Sequence, residues 1–409
     1  MLNIIWCLFF IIAFIVALYK WLILGDSHVF AEIMNAMFSL SKTAFEISLG
    51  LTGVLALWLG IMKIGERCGF IQLLTRGLTP LFKRLMPDIP ENHPALGAIV
   101  MNISANALGL DNAATPFGIK AMQALQSLNP TPDTASDSQI LFLVINTSAV
   151  TLFPVAIFTY RAQLGAANPT DVFIPLLIAT YTSTLVGLVA VAGIQKINLW
   201  DKVIASYFLG FSALIALLVY YFSQLSQADM LAQSALISNV VLFTLVVVFI
   251  LTAIYKRVNA YDAFITGAKE GFNTAITIIP YLVAMLVAIG VFRASGALTI
   301  VEEGLRYWVQ LIGLDARFID AMPTALMKPF SGSGARAMMI DTMKEHGADS
   351  FAGHLASIVQ GSTETTFYVL AVYFGAVGIK NIRHAAVCGV IADIAGIITA
   401  IMVAYWFFG

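Results

Sequence analysis

Charge is scarce in this 409-residue chain: Asp, Glu, Lys and Arg make up only 11% of it, less than half of the roughly 25% found in soluble domains. A water-surrounded globule is therefore not expected. The two signs nearly cancel, 22 Lys and Arg against 23 Asp and Glu, so the chain lacks the basic footprint that nucleic acid requires. Nucleic acid is excluded as a partner. Cysteine is almost absent, and Cys7, Cys68 and Cys388 show no pairing or CxxC spacing that would signal a disulfide framework or a zinc site. No Ser/His/Asp order, paired metal-ligand motif or nucleotide fingerprint is present, so neither an enzyme nor a resident cofactor or metal is expected.

What the chain has in quantity is apolar surface, 59% of its residues. No charge occurs in Ser138–Tyr160, Val172–Gln195, Val203–Ala228, Met230–Tyr255 or Gly271–Phe292, and each stretch exceeds the ~20 residues that cross a bilayer core as a helix. Nine spans are predicted: Ile4–Leu24, Phe45–Ile64, Gln139–Tyr160, Val172–Ile194, Val203–Phe222, Leu231–Ile254, Phe272–Phe292, Phe351–Phe374 and His384–Phe408. The first lacks the basic flank and cleavage site of a signal peptide and reads as a retained helix.

Two regions, Gly65–Ser138 and Arg293–Ser350, are neither spans nor simple loops. Each opens with an amphipathic stretch suited to the membrane interface. In one, Arg67, Arg76, Lys83 and Arg84 interleave with Phe70, Leu73, Leu74, Leu78, Leu81 and Phe82; the other is Leu298–Leu311. Each continues as two short apolar segments around a polar break: Ala95–Gly109, Asp111-Asn112, Ala113–Leu125; and Phe318–Phe330, Ser331–Gly334, Ala335–Met343. These read as re-entrant hairpins, which survive at membrane depth only where protein or a cavity satisfies the broken backbone.

The likeness of the two regions reflects an internal repeat. At an offset of 227, Lys42 pairs with Lys269, Phe45 with Phe272, Gly69 with Gly296 and Gly77 with Gly304. At 221, Ala114 pairs with Ala335, Ile119 with Ile340 and Met122 with Met343; at 214, Ser148 pairs with Ser362, Thr151 with Thr365 and Phe153 with Phe367. The first copy carries the extra residues, around Asn129–Asp133. An odd number of spans separates the copies, so the repeat is inverted, an arrangement that puts substrate sites near the bilayer midplane. The predicted fold is an all-α polytopic membrane protein, divided into an N-terminal helix (1–40), a first repeat (41–200), connecting helices (201–260) and a second repeat (261–409). Lys196, Lys202, Lys256, Arg257, Lys269, Lys380 and Arg383 fall on one side and Lys42 and Arg161 on the other. The positive-inside rule then puts the N-terminus in the cytoplasm and the C-terminus outside.

Four polar runs can carry chemistry. Lys328 to Arg336 combines Ser331, Gly332, Ser333 and Gly334 with two cations at a half-helix N-terminus, a setting for an anionic group; equally, the serines serve as caps and Arg336 pairs with Asp341 or with lipid headgroups. The matching run holds Asn106, Asp111, Asn112 and Thr115, amides and an acid that suit a polar neutral ligand or a cation, or a salt bridge from Asp111 to Lys328 or Arg336. Asn146, Thr147 and Ser148 interrupt one span, and Gln360, Gly361, Ser362, Thr363, Glu364, Thr365 and Thr366 interrupt its counterpart. Ionisable groups within spans are costly and point to function, which singles out Glu364 and Asp393. The hydroxyls serve equally for interhelical hydrogen bonding. His354 and His384, near span ends, read as interfacial rather than as metal ligands.

The run Asn112-Ala113-Ala114-Thr115-Pro116-Phe117-Gly118-Ile119-Lys120-Ala121-Met122, with Val144–Ser148, resembles bacterial spore maturation protein A. Lys328–Arg336, with Gln360-Gly361-Ser362-Thr363-Glu364-Thr365-Thr366-Phe367-Tyr368, resembles spore maturation protein B. The chain looks like the two fused. Both are similar to the nucleoside-recognition, or Gate, group, and to the membrane halves of ferrous-iron transporter B and of concentrative nucleoside transporters. The resemblance implies a transporter of the bacterial cytoplasmic membrane. The expected function is secondary transport or export of a small polar, anionic or zwitterionic metabolite. Asn106, Asn112, Thr115, Asn146, Ser148, Lys328, Ser331–Gly334, Arg336, Gln360, Ser362 and Thr363 would bind substrate, and Glu364, Asp111 and Asp393 would couple H+ or Na+. A passive pore and a structural membrane protein are the alternatives. The lipid bilayer is the expected surrounding, and a homo-oligomer, such as a dimer, the expected assembly.

Overall fold

A computed structural model describes residues 2–90, 93–108, 111–148 and 151–409; the side chains of 2, 111–113 and 228 lie outside that description. The chain is helical, with a single isolated bridge, Thr134 to Asn381, among the described residues. The first half comprises α1 (Leu2–Leu24), α2 (Val29–Arg67), α3 (Phe70–Leu85), α4 (Pro94–Ala107), α5 (Asp111–Gln126), α6 (Asp137–Ser148), α7 (Val155–Gln163) and α8 (Phe173–Gln195). After α9 (Lys202–Ser223) come α10 (Gln227–Tyr255), α11 (Ala260–Ala294), α12 (Ala297–Leu311), a 3-10 turn (Arg317–Ala321), α13 (Met322–Met327), α14 (Gly332–His346), α15 (Phe351–Ser362), α16 (Thr366–Gly375) and α17 (Ala385–Phe408).

Seven of these, α1, α2, α8, α9, α10, α11 and α17, are long and apolar enough to cross a membrane. Leu209, Leu217, Tyr220, Phe243 and Leu251 stand exposed on α9 and α10, an apolar surface larger than water tolerates and suited to lipid. Two further spans predicted from hydropathy are broken helices: Gln139–Tyr160 divides into α6 and α7, and Phe351–Phe374 into α15 and α16. α2 and α11, at 39 and 35 residues, extend well past the predicted Phe45–Ile64 and Phe272–Phe292. Hydropathy marks only the lipid-core portion, while polar turns such as those of Glu32 or Asp262 and Lys269 continue the helix into the interface.

Element by element the halves correspond. The amphipathic α3 and α12 each start after a left-handed glycine, Gly69 at φ 78° and Gly296 at φ 86°, the pair aligned by the 227 offset. α6 and α15 are both 12 residues long. Contacts are reciprocal too: α1 packs on α11 while α10 packs on α2, and α6 packs on α17 while α15 packs on α8.

Corresponding helices also pack on each other, antiparallel. Along the α2–α11 seam, Gly290 faces Leu40, Gly271 faces Ala56 and Gly267 faces Leu59 and Lys63, so one number rises as the other falls. A Cβ on Gly267 would lie well inside 3.0 Å of the Leu59 carbonyl oxygen, and one on Gly271 2.7 Å from the Ala56 backbone. This is a Gly-x-x-x-Gly contact, where small residues let backbones meet without a hydrophobic driving force. α8 and α17 behave alike, Gly187 against Ala392 and Ser183 against Gly396. Equivalent helices running oppositely are the direct expression of an inverted repeat.

Candidate functional site

The hairpin tips and helix breaks converge. α4 packs on α5 and α13 on α14, and each tip is bonded to the broken helix of its own half. The Leu152 N–H donates to the Ala107 carbonyl at 2.8 Å, and the Phe367 N–H to the Pro329 carbonyl at 2.9 Å. A second link joins each tip to the last turn before the break: Asn106 Nδ2 donates to Asn146 Oδ1 at 2.9 Å, and Lys328 Nζ to the Gln360 carbonyl at 2.6 Å. Asn146 and Gln360 are mates at offset 214. The buried Lys328 ammonium thus serves a carbonyl at the C-terminal end of α15, the end that favours cations. Finally the breaks touch each other: the Glu364 N–H donates to the Thr147 carbonyl at 2.7 Å.

The breaks fall close to, but not at, the residues expected. In the first hairpin α4 ends at Ala107 and α5 begins at Asp111, so Asp111-Asn112 opens a helix instead of interrupting one; the side chains of Asp111 and Asn112 lie outside the described residues. In the second, the turn is Lys328–Ser331, and Gly332–Gly334 form the first turn of α14. The reason is a cap: Ser331 Oγ accepts from the Gly334 N–H at 3.0 Å, satisfying an orphan donor of the new helix. Arg336 lies over the ring of Tyr160 on α7, 5.5 Å from its centroid, and Asp341 pairs with Arg293 rather than with Arg336. Thr115 is half-buried on α5; Ser148 and Ser362 are buried at the ends of α6 and α15, with their hydroxyls turned to the Ile145 and Val359 carbonyls.

Asp393 sits where these parts meet. It is fully buried in α17, and neither carboxylate oxygen has a hydrogen-bond partner. Glycines one turn to either side let the broken helices approach: a Cβ on Gly389 would meet Thr366 at 2.7 Å with the Thr147 hydroxyl 3.5 Å away, and one on Gly396 would meet Thr363 at 2.7 Å. Thr363 and Thr366 flank the carboxylate without reaching hydrogen-bond geometry. The hydroxyls of Thr363, Thr365 and Thr366 and the side-chain oxygen of Gln360 are likewise buried and unpartnered. Lys328 attracts this carboxylate and Glu364, half-exposed at the break, repels it. A group of unsatisfied acceptors and hydroxyls at membrane depth carries a large desolvation cost unless a cation, proton or polar solute completes it.

Residues 48–164 and 275–380 match the family described as nucleoside recognition, the Gate domain, and together they make up more than half of the chain. The chain belongs to the Gate family. The two matched segments of this Gate protein hold both hairpins and both broken helices, one set each. Two curated relatives come from Bacillus subtilis (strain 168). Spore maturation protein B is 48% identical over 154 residues, 38% of this chain and 85% of that protein. Spore maturation protein A is 40% identical over 183 residues, 45% of this chain and 90% of that protein. No solved structure matches.

One cluster went unnoticed in the sequence. Arg161, fully buried at the end of α7, donates to Asp171 at 3.0 Å, to Asp349 at 3.2 Å and to the Ala348 carbonyl at 2.8 Å, and lies 3.2 Å from His354 Nε2. His354 in turn contacts Asp171 at 3.0 Å and stacks on Phe408. The acid and imidazole ligand atoms lie within 4.8 Å of one another, near enough to hold a cation, and the guanidinium supplies that charge. The cluster clamps the α7–α8 loop of one half to the start of α15 in the other. His354, read from the sequence as interfacial, is one of its buried members.

Proposed function

We propose that this Gate protein is a secondary transporter of a small polar solute, anionic or zwitterionic, in the bacterial cytoplasmic membrane. The observation that carries the reading is Asp393, a buried carboxylate with no hydrogen-bond partner, set between unpartnered threonines at the crossing of two broken helices. An ionisable group so placed in a span is costly and marks an ion or proton path. Asp393, with the hydroxyls of Thr363 and Thr366, is the coupling site for H+ or Na+, and Glu364 at the neighbouring break shares in it. Asn106, Asn146, Gln360, Lys328 and the Ser331 turn of α14 meet the solute: amides and the ammonium present donors to carboxylate or hydroxyl groups, and unwound carbonyls present acceptors. The N-terminus lies in the cytoplasm and the C-terminus outside, and no catalytic step is assigned.

The test is electrogenic and tracer transport in proteoliposomes of the purified full chain. Dicarboxylates, dipicolinate, amino acids, short peptides, nucleosides and divalent metals are offered under proton and sodium gradients, beside Asp393→Asn and Glu364→Gln. A saturating response to one class, lost in Asp393→Asn, is expected. A response that does not saturate, or that both variants retain in full, refutes the assignment.

A further inference from the structure

The two halves share a sequence pattern but not a conformation. α14 packs on α11, fastened by Arg293 to Asp341 at 2.5 Å and to Glu345 at 3.5 Å, while Lys344 Nζ reaches Thr43 Oγ1 of α2 at 3.2 Å. The equivalent helices of the first half, α5 and α2, are instead parted by a cavity of about 750 Å³. Its charged wall consists of Lys63, Glu66, Lys120 and Glu270. The repeat offsets give these residues their meaning. Glu66 is the mate of Arg293 and Lys120 the mate of Asp341, an acid–base pair with its signs exchanged. Glu270 is the mate of Thr43, and Gln123 that of Lys344.

At one end of the molecule, therefore, a hairpin helix is bolted to the α2–α11 seam by a pair whose inverted counterpart stands open at the other end. The open counterpart is not idle. Lys63 bridges Glu66 at 3.0 Å and Glu270 at 3.1 Å, holding two carboxylates on the seam side of the cavity opposite the exposed Lys120. The seam itself repeats the exchange, with Leu40 against Gly290 at the closed end and Lys63 against Gly267, the mates of those two residues, at the open end. A second asymmetry accompanies it: α7 packs on α2, whereas α16, its mate, does not pack comparably on α11.

We infer that Glu66 and Lys120 form an inner gate, the counterpart of the Arg293–Asp341 outer gate, and that the two are made alternately. The structure holds the outer gate shut and the inner one open, toward the end that bears Lys256 and Arg257. In the exchanged state α5 swings onto α2 so that Lys120 joins Glu66 and Gln123 reaches Glu270, while α14 leaves α11 and Lys344 releases Thr43. This rests on the transport reading for its purpose, since exposing Asp393 first to one face and then to the other is what a carrier requires, but its geometry is testable without a solute.

The experiment is cross-linking in native membranes on the full chain, with Cys7→Ser, Cys68→Ala and Cys388→Ala as background. A short bifunctional thiol reagent is applied to Glu66→Cys/Lys120→Cys and, separately, to Arg293→Cys/Asp341→Cys, and bridged peptides are quantified by mass spectrometry. Both bridges are expected. The Glu66–Lys120 bridge should rise roughly fivefold when the outer gate is weakened by Asp341→Asn, as expected when a contact of one state alone is removed. Lys344→Ala provides a milder release, and elution as a single species in size-exclusion chromatography verifies folding. Absence of the Glu66–Lys120 bridge in every background, beside an efficient outer bridge, overturns the gate; so does a yield indifferent to both releasing variants. If the bridges respond as stated but no solute moves, the gate stands and the transport reading falls.

Discussion

Replacing Arg161 by Met tests whether the buried clamp holds the halves together. Met keeps most of the aliphatic volume but removes every donor, leaving the Asp171 carboxylate, whose side chain is 12% exposed, with His354 alone. Breaking a buried pair in this way costs about 3–5 kcal/mol because a charge is stranded. The Asp349 contact adds little, since its side chain is 43% exposed and solvent screens it to about 1 kcal/mol or less. A loss of about 4 kcal/mol in a chain of this size lowers the apparent melting temperature by roughly 8 °C, at about 2 °C per kcal/mol for large domains. The assay is heating of detergent-solubilised protein followed by size-exclusion detection at a fixed heating rate, so that irreversible unfolding affects wild type and variant alike. Asp171→Asn alone should cost less, and adding it to Arg161→Met should restore part of the loss, because the stranded charge is gone. An Arg161→Met protein melting within about 2 °C of wild type would refute the reasoning.

Two further outcomes follow from packing and burial. Gly267→Leu forces α2 and α11 apart and should destabilise by about 1–3 kcal/mol or more, seen as a lower yield of folded protein, whereas Gly53→Ala, with open space around it, should leave the elution profile unchanged. Asp393→Asn removes an unpartnered buried carboxylate, and so should melt no lower than wild type and up to about 3 kcal/mol more stably; a clear drop in melting temperature would reveal a partner that the carboxylate depends on.

Much of this architecture is legible in the sequence because lipid enforces it locally. Charge-free runs mark α8, α9 and α10, and the polar interruptions at Asn146–Ser148 and Gln360–Thr366 stand close to the breaks. The pairing of Gly69 with Gly296 also anticipates two left-handed helix starts. What escapes is anything set by partners far apart in the chain. Arg161 reads from sequence as a solitary loop cation, because its ligands lie 10, 188 and 193 residues away with no periodicity to link them. The asymmetry between Arg293–Asp341 and Glu66–Lys120 is equally hidden: alignment of the copies shows exchanged signs, but only coordinates show one pair joined and the other parted. The hairpin turns were displaced by a few residues for a smaller reason, that the serine and glycine read as a break instead cap and begin α14.

Among the described residues, α9 is the one long helix without a mate. It is 22 residues long, and only Ile204 and Phe222 on it are buried. It adds little to the packed interior, yet without it the second copy would enter the membrane the same way up as the first. Its contribution is to parity and to effective concentration: a single additional crossing reverses the second unit, and the covalent connection keeps the two units near each other at a local concentration that separate chains would have to reach by mass action. α9 touches α8 through Ser212 and Tyr181 and α17 through Phe222 and Phe407, but the glycine contacts of α2 with α11 and of α8 with α17 are made without it, so two half-chains divided on either side of it would carry those mating surfaces.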